Sequence, residues 1–277
     1  MSPIQRTSLT HMILKVQSMR NTVVMLAVAL LSIVTSGCSV FPPCDPPHGS
    51  PPPGTQRTYW TLFPLAENPI SEGGNWVGGQ SAGANLWGNV QTNLNMAFGA
   101  SEPTRYGDPT AVLIGAWGRN QKVSGTVRIN ITPERCCHEV ELRLRMTISA
   151  GRITGYEAYC SVVPGSPYCH IARWNGPNGS YCNIESSTPL VFATNGDVLM
   201  ATATGGNPTI ITMYKNGAKI LQATDVGQNC DPGGAGGPFP AGYPGIGFYD
   251  DQDSNWSYFG FSSFSAQDNF EYSLKVN

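Results

Sequence analysis

The chain has 277 residues and a net charge of −2, and charged residues make up only 12% of it, against roughly 25% in an average soluble domain. That excludes a basic nucleic-acid binder, which needs clustered Lys and Arg, and a charge-driven disordered chain. The counts of Gly (32) and Pro (22), with 10% aromatic residues, indicate an exported protein of strands and turns.

Arg6, Lys15 and Arg20 precede Val23–Val34, an apolar run of twelve broken only by Ser32. A membrane-spanning helix needs about 20 residues. The run therefore reads as the apolar region of a signal peptide over residues 1–38, and Met19-Arg20-Asn21 would open a more compact one. Thr35-Ser36-Gly37-Cys38 resembles the bacterial lipobox, with Thr35 where that motif prefers Leu. The resemblance implies a lipid on Cys38 and a membrane-anchored lipoprotein at the outer membrane or cell surface, or in the periplasm. The alternative is ordinary signal cleavage and a free soluble chain. Residues 39–55 (SVFPPCDPPHGSPPPGT) contain seven Pro and read as an extended tether.

From 56 to 277 the pattern is strand and turn. Lys122–Ile131 places Val123, Val127 and Ile129 on one face, with Gly125 leaving a gap in that face. Glu139–Ile148 alternates more cleanly. Val140, Leu142, Leu144, Met146 and Ile148 face one way, and Glu139, Glu141, Arg143, Arg145 and Thr147 face the other. This predicts a half-buried antiparallel strand with a solvated charged face. Thr209–Lys215 and Ala218–Asp225 flank Asn216-Gly217, the signature of a type I′ hairpin. Ile246–Tyr249, Trp256–Phe264 and Phe270–Val276 read as closing strands. About a dozen short strands favour a β-sandwich.

Several segments, in order, resemble concanavalin A-like (laminin-G-like) jelly-roll domains of secreted bacterial proteins. They are Glu67-Asn68-Pro69-Ile70-Ser71-Glu72-Gly73-Gly74-Asn75-Trp76, Gly155-Tyr156-Glu157-Ala158-Tyr159, Thr212-Met213-Tyr214-Lys215-Asn216-Gly217, Pro244-Gly245-Ile246-Gly247-Phe248-Tyr249 and Phe261-Ser262-Ser263-Phe264-Ser265-Ala266. The resemblance covers nearly all of the chain after the tether. It implies an all-β antiparallel jelly-roll sandwich over 56–277. Members include lectins, carbohydrate-binding modules, glycoside hydrolases and polysaccharide lyases, so fold alone does not settle function.

Eight cysteines in an exported chain predict disulfides. A lipid on Cys38 would leave seven, so at least one stays outside an intrachain pair. If Pro164-Gly165 is a two-residue turn between strands, Cys160 faces Cys169, close enough to bridge after a small adjustment. Cys136 and Cys137 are not expected to bridge to each other; Cys182 and Cys230 are the alternatives for each. Consecutive Cys136-Cys137-His138 lacks the spacing of a zinc site.

Laminarinase-like members of the family carry a Glu-x-Asp-x-Glu strand. Here the row is Glu139-Val140-Glu141-Leu142-Arg143, so Arg143 stands where the mechanism needs an acid. His138 and His170 are the only histidines after residue 56, and neither sits in a nucleophile motif. Asp250, Asp251, Asp253 and Asn255 form an acidic loop without an EF-hand's Gly and Glu; the family resemblance implies structural calcium there, and otherwise no cofactor. Six Trp and eleven Tyr offer flat rings for sugar faces. Trp76 and Trp117 read as core. Trp87 is a further aromatic candidate. Trp174 and Asn175 in a turn-rich loop, with Trp256 and Tyr258 beside the acidic loop, are the candidate ligand residues. The expected function is non-catalytic recognition of a glycan or other extracellular polymer. A hydrolase or lyase with an atypical site, and a structural or adhesive domain without a sugar ligand, are the alternatives.

Overall fold

The computed structural model describes residues 56–84, 86–100, 108–230, 233–250 and 256–269. The predicted signal peptide, Cys38 and the Pro-rich tether lie outside the described residues, as does the predicted strand Phe270–Val276. No helix among the described residues is long and apolar enough to cross a membrane.

Two antiparallel sheets account for the described strands. One runs, in spatial order, β13 (Ala218–Asp225), β12 (Thr209–Lys215), β11 (Val198–Gly205), β6 (Gln121–Ile129), β15 (Phe259–Asp268), β4 (Ala97–Gly99) and β3 (Val90–Thr92), with β1 (Thr58–Thr61) also on β15. The other runs β10 (Tyr181–Ser186), β9 (Cys169–Gly176), β8 (Arg152–Ser161), β7 (His138–Ser149), β14 (Tyr243–Asp250), β5 (Thr110–Leu113) and β2 (Trp76–Gly78). The chain changes sheets repeatedly, at β1–β2–β3, β4–β5–β6–β7, β10–β11 and β13–β14–β15. This crossing is what makes the sandwich a jelly roll, the fold class that the family resemblance implies. Trp256–Tyr258 forms a 3₁₀ turn before β15, not the start of the strand.

The predicted hairpin has the predicted bounds: Lys215 pairs with Ala218, and Asn216 and Gly217 have φ of 50° and 80°. Positive φ at both positions matches the right-handed twist of the flanking strands. Between the sheets, Val140, Leu142 and Leu144 of β7 join Val123, Val127, Phe248, Phe261 and Phe264 in one apolar core. Gly125 explains the gap in the β6 face. A Cβ there would lie 2.6 Å from the Phe261 ring, so the phenyl fills the space the glycine leaves.

The alternation along β7 holds only to Leu144. Arg145 has φ of 52°, and the pairing of β7 with β8 shifts between Leu144 and Thr147. The extra residue turns Arg145 toward the other sheet, where its guanidinium donates to Thr209 Oγ1 and the carbonyls of Gly205 and Phe239. It also reverses Met146 and Ile148, which join Trp87, Val112, Ile153 and Trp174 in a second cluster on the outer face. The expected solvated face of this strand is a correction too. Glu141 and Arg143 are 0–1% exposed, because the outer face is covered by that cluster and by neighbouring polar side chains, and Arg145 is buried between the sheets.

Cys160 pairs with Cys169 in register and the two are bridged. Cys182 is bridged to Cys230. Cys136 and Cys137 bridge to each other, contrary to expectation. Their peptide bond is cis and their Cα atoms are 3.0 Å apart, closer than a trans peptide allows.

Candidate functional site

The outer face of the seven-stranded sheet gathers the titratable side chains. Period 2 puts Glu139, Glu141 and Arg143 of β7 on this face. Register then sets Arg143 opposite Glu157, Glu141 opposite Tyr159, Tyr159 opposite His170 and Trp174 opposite Tyr181. Asp108, just before β5, completes the group. Arg143 Nη1 donates to Glu157 Oε2, and Nη2 donates to both Asp108 Oδ1 and Glu141 Oε2. The ligand oxygens of Asp108, Glu141 and Glu157 lie within 4.8 Å of one another, and the guanidinium already supplies these three carboxylates with a cation. The Trp174 indole N–H also donates to Glu157 Oε2, at 2.5 Å.

Burial shapes the electrostatics. Desolvation raises Asp108 above the usual carboxylate range and Glu141 well above it, opposed by Arg143. Burial pushes Glu157 up to about 7, with the Arg143 charge pulling it down. Burial pushes Glu139 up to about 8, against the pull of its hydrogen bond from Tyr168. For Arg143 burial acts downward, but the facing Glu141, Glu157 and Asp108 carboxylates prevail and hold it raised.

Beside the carboxylates lies a run of rings. Tyr159, Tyr168 and His170 meet with centroid separations of 5.1–6.2 Å, and Trp174 lies 4.8 Å from Tyr181. Tyr168 donates from its hydroxyl to Glu139 Oε1 at 2.5 Å. Tyr159 donates to Asn183 Oδ1 at 2.9 Å, and His170 Nδ1 sits 2.7 Å from Ser186 Oγ. Burial lowers the His170 pKa, which favours a neutral ring. Tyr168, His170 and Glu139 are half-buried, and Tyr181 and Asn183 are exposed. Glu139 Oε2 accepts no hydrogen bond from the described residues.

The sequence-predicted ligand residues are not assembled into one site. Trp174 lies inside β9, not in a loop, and is 3% exposed. It is pinned edge-on by Trp87 and tied to Glu157, so its faces are not open to a ligand. Asn175 is engaged by its own neighbours: Nδ2 donates to the Gly233 carbonyl at 2.7 Å and Oδ1 accepts from Arg173 Nε at 3.1 Å. Tyr258 is half-buried against the inter-sheet core, remote in packing from the Trp174 cluster. The Trp256 side chain and Asp251, Asp253 and Asn255 lie outside the described residues. Asp250, the described member of the acidic loop, ends β14 and places Oδ1 3.3 Å from His138 Nε2. Trp76 and Trp117 are core residues, as expected, and Trp87 is fully buried. Sequence reasoning missed Tyr181, Asn183 and the role of Tyr168. Extending the turn register that opposes Cys160 to Cys169 would have set Tyr159 opposite His170, but nothing local predicts that β10 adds Tyr181 and Asn183 to the same face.

No protein-family model matches the chain, and no curated protein matches it. Solved structures similar to it include a carbohydrate-binding module, CBM66, from Bacillus subtilis, at 14% identity and TM-score 0.43 over 72% of this chain and 96% of that one. A legume lectin-like domain from Entamoeba histolytica is 12% identical with TM-score 0.44, over 74% of this chain and 97% of that one. The exoplasmic/lumenal domain of VIP36 in its Ca2+-bound form is 8% identical with TM-score 0.43, over 72% of this chain and 86% of that one.

Proposed function

We propose that the chain is a non-catalytic carbohydrate-binding protein that takes a glycan on the outer face of its seven-stranded sheet. The observation that carries this reading is the juxtaposition of accessible rings and accessible hydrogen-bonding groups. Tyr168 donates to half-buried Glu139 and meets His170, Tyr159 meets both rings and donates to Asn183, and Tyr181 lies two residues from Asn183 on β10. Sugar C–H faces stack on such rings while hydroxyls take the polar groups. Hydrolysis is the weaker reading for this face. A glycosidase needs two carboxyl groups that reach the scissile bond, whereas Asp108, Glu141 and Glu157 are 1–7% exposed and bound to Arg143. That leaves Glu139, itself half-buried, as the most accessible carboxyl group among these four.

In this reading the protein is exported, and a lipid on Cys38 holds it at a membrane through the Pro-rich tether. A glycan array probed with the full chain, with calcium and again with EDTA, tests the binding. Saturable binding that falls at least about tenfold in Tyr181→Ala or His170→Ala is the expected result. Loss of binding in EDTA would support calcium at the Asp250–Asn255 loop, and Trp256→Ala reports whether that end of the molecule takes part. No binding to any glycan overturns the reading.

A further inference from the structure

Carboxyl groups outnumber cations on this face. The outward-facing side chains of β7 to β10, with Asp108, bring four carboxylates together: Asp108, Glu139, Glu141 and Glu157. Among the described residues these strands turn one cation outward to meet them, Arg143, which is fully buried and shared by three of the four. The fourth, Glu139, has no ion-pair partner among the described residues, although the charges of Glu157, Asp108 and Arg143 act on it. One oxygen accepts from the Tyr168 hydroxyl, and the adjacent rings are Tyr159, Tyr168 and His170. Its other oxygen is the place on the face where an incoming positive charge meets an acceptor that no cation among the described residues has taken.

We infer that the face selects a basic sugar, a hexosamine with a free amine, by pairing that amine with Glu139 while the ring stacks on the neighbouring aromatics. The inference rests on the carbohydrate-binding reading above and names its ligand class. The chemistry is specific to the amine. A carboxyl and an amine share one proton well whichever group holds it, as carboxylate with ammonium or as carboxylic acid with neutral amine, and both forms are strong hydrogen bonds in a partly dry site. An N-acetylated sugar has no basic nitrogen and loses this pairing. A uronic acid or sulfated sugar would set its negative charge against four carboxyl groups served by the single buried Arg143, and such apposition is a means of rejection.

The test compares two ligands of equal length by calorimetry on the full chain: the fully deacetylated hexamer of glucosamine (chitosan) and the fully N-acetylated hexamer (chitin). The expected result is at least about tenfold tighter binding of the deacetylated hexamer, a preference that shrinks as salt rises. In Glu139→Gln, which keeps the shape and removes the acid, the preference should disappear while the residual affinity for both ligands remains. In Tyr181→Ala both affinities should fall. The salt dependence of the unmodified chain gives the same answer if Glu139→Gln does not fold. Equal affinity for the two hexamers, tighter binding of the acetylated one, or a preference unchanged in Glu139→Gln overturns the inference. So does binding to other glycans but to neither hexamer; in all these cases the carbohydrate-binding reading stands. Failure to bind any glycan removes that reading and the inference with it.

Discussion

Gly247 of β14 lies against the side chain of Arg143 on β7: a Cβ at Gly247 would stand 2.6 Å from both Nε and Nη2 of the guanidinium. The glycine of the Pro-Gly-Ile-Gly-Phe-Tyr segment is thus the floor on which the buried arginine rests. Gly247→Ala should displace Arg143 and Glu141 together and destabilise the fold by about 1–3 kcal/mol, the usual cost of overpacking a filled site. Urea unfolding measures it. A variant as stable as the parent would show that the guanidinium can move aside freely.

Arg143 is the cation shared by three buried carboxylates. Arg143→Met keeps much of the side-chain volume and leaves Asp108, Glu141 and Glu157 unpaired. Removing one partner from a buried ionic group costs about 3–5 kcal/mol. The expected loss is larger at high pH, where more of the carboxylates are forced to ionise. Chemical denaturation at two pH values tests both statements.

Stability should fall as pH rises. In the folded chain Glu139 titrates near 8 and Glu157 near 7, both raised by burial from an ordinary value of 4.5. Between these limits the folded state holds more protons than the unfolded one, so the slope of stability with pH is negative. This contribution is complete below pH 4.5 and is lost as pH rises through about 7 to 8. Thermal melts across that window should show Tm declining, and Glu139→Gln, which cannot titrate, should flatten part of the decline. A Tm that climbs toward pH 8 would mean that the cluster is held ionised.

The bridge between Cys160 and Cys169 closes a short loop, with a sequence separation of 9, in the strands that carry Tyr159 and His170. Replacing both cysteines with Ser should cost about 2–4 kcal/mol. It should also weaken glycan binding, because the bridge fixes the β8–β9 register next to the ring cluster. Differential scanning calorimetry and the same binding assay measure the two effects. Unchanged affinity would show that strand pairing alone holds these rings in place.

What the sequence determined by itself is what local chemistry decides. Asn216-Gly217 specified its hairpin to the residue because only residues tolerant of positive φ close a type I′ turn. Alternation picked out β7, and a two-residue turn brought Cys160 opposite Cys169 in the chain's own arithmetic. About a dozen short strands favoured a sandwich, and the resemblance to concanavalin A-like domains implied its jelly-roll form. What only the tertiary structure decided is what covers each face. Alternation divides a strand into two sides, but it cannot say that the second side is also buried, since that depends on residues as distant as Asp108, Glu157 and Trp87. Nor could it show that one bulge at Arg145 would reverse the sides beyond it. Trp174 looked like a loop residue because its flanking Asn and Gly are turn formers; strand pairing on both sides holds it inside the sheet. The face that carries the proposed function is made of side chains from four strands and a loop, and such a surface exists only once long-range pairing has set their registers.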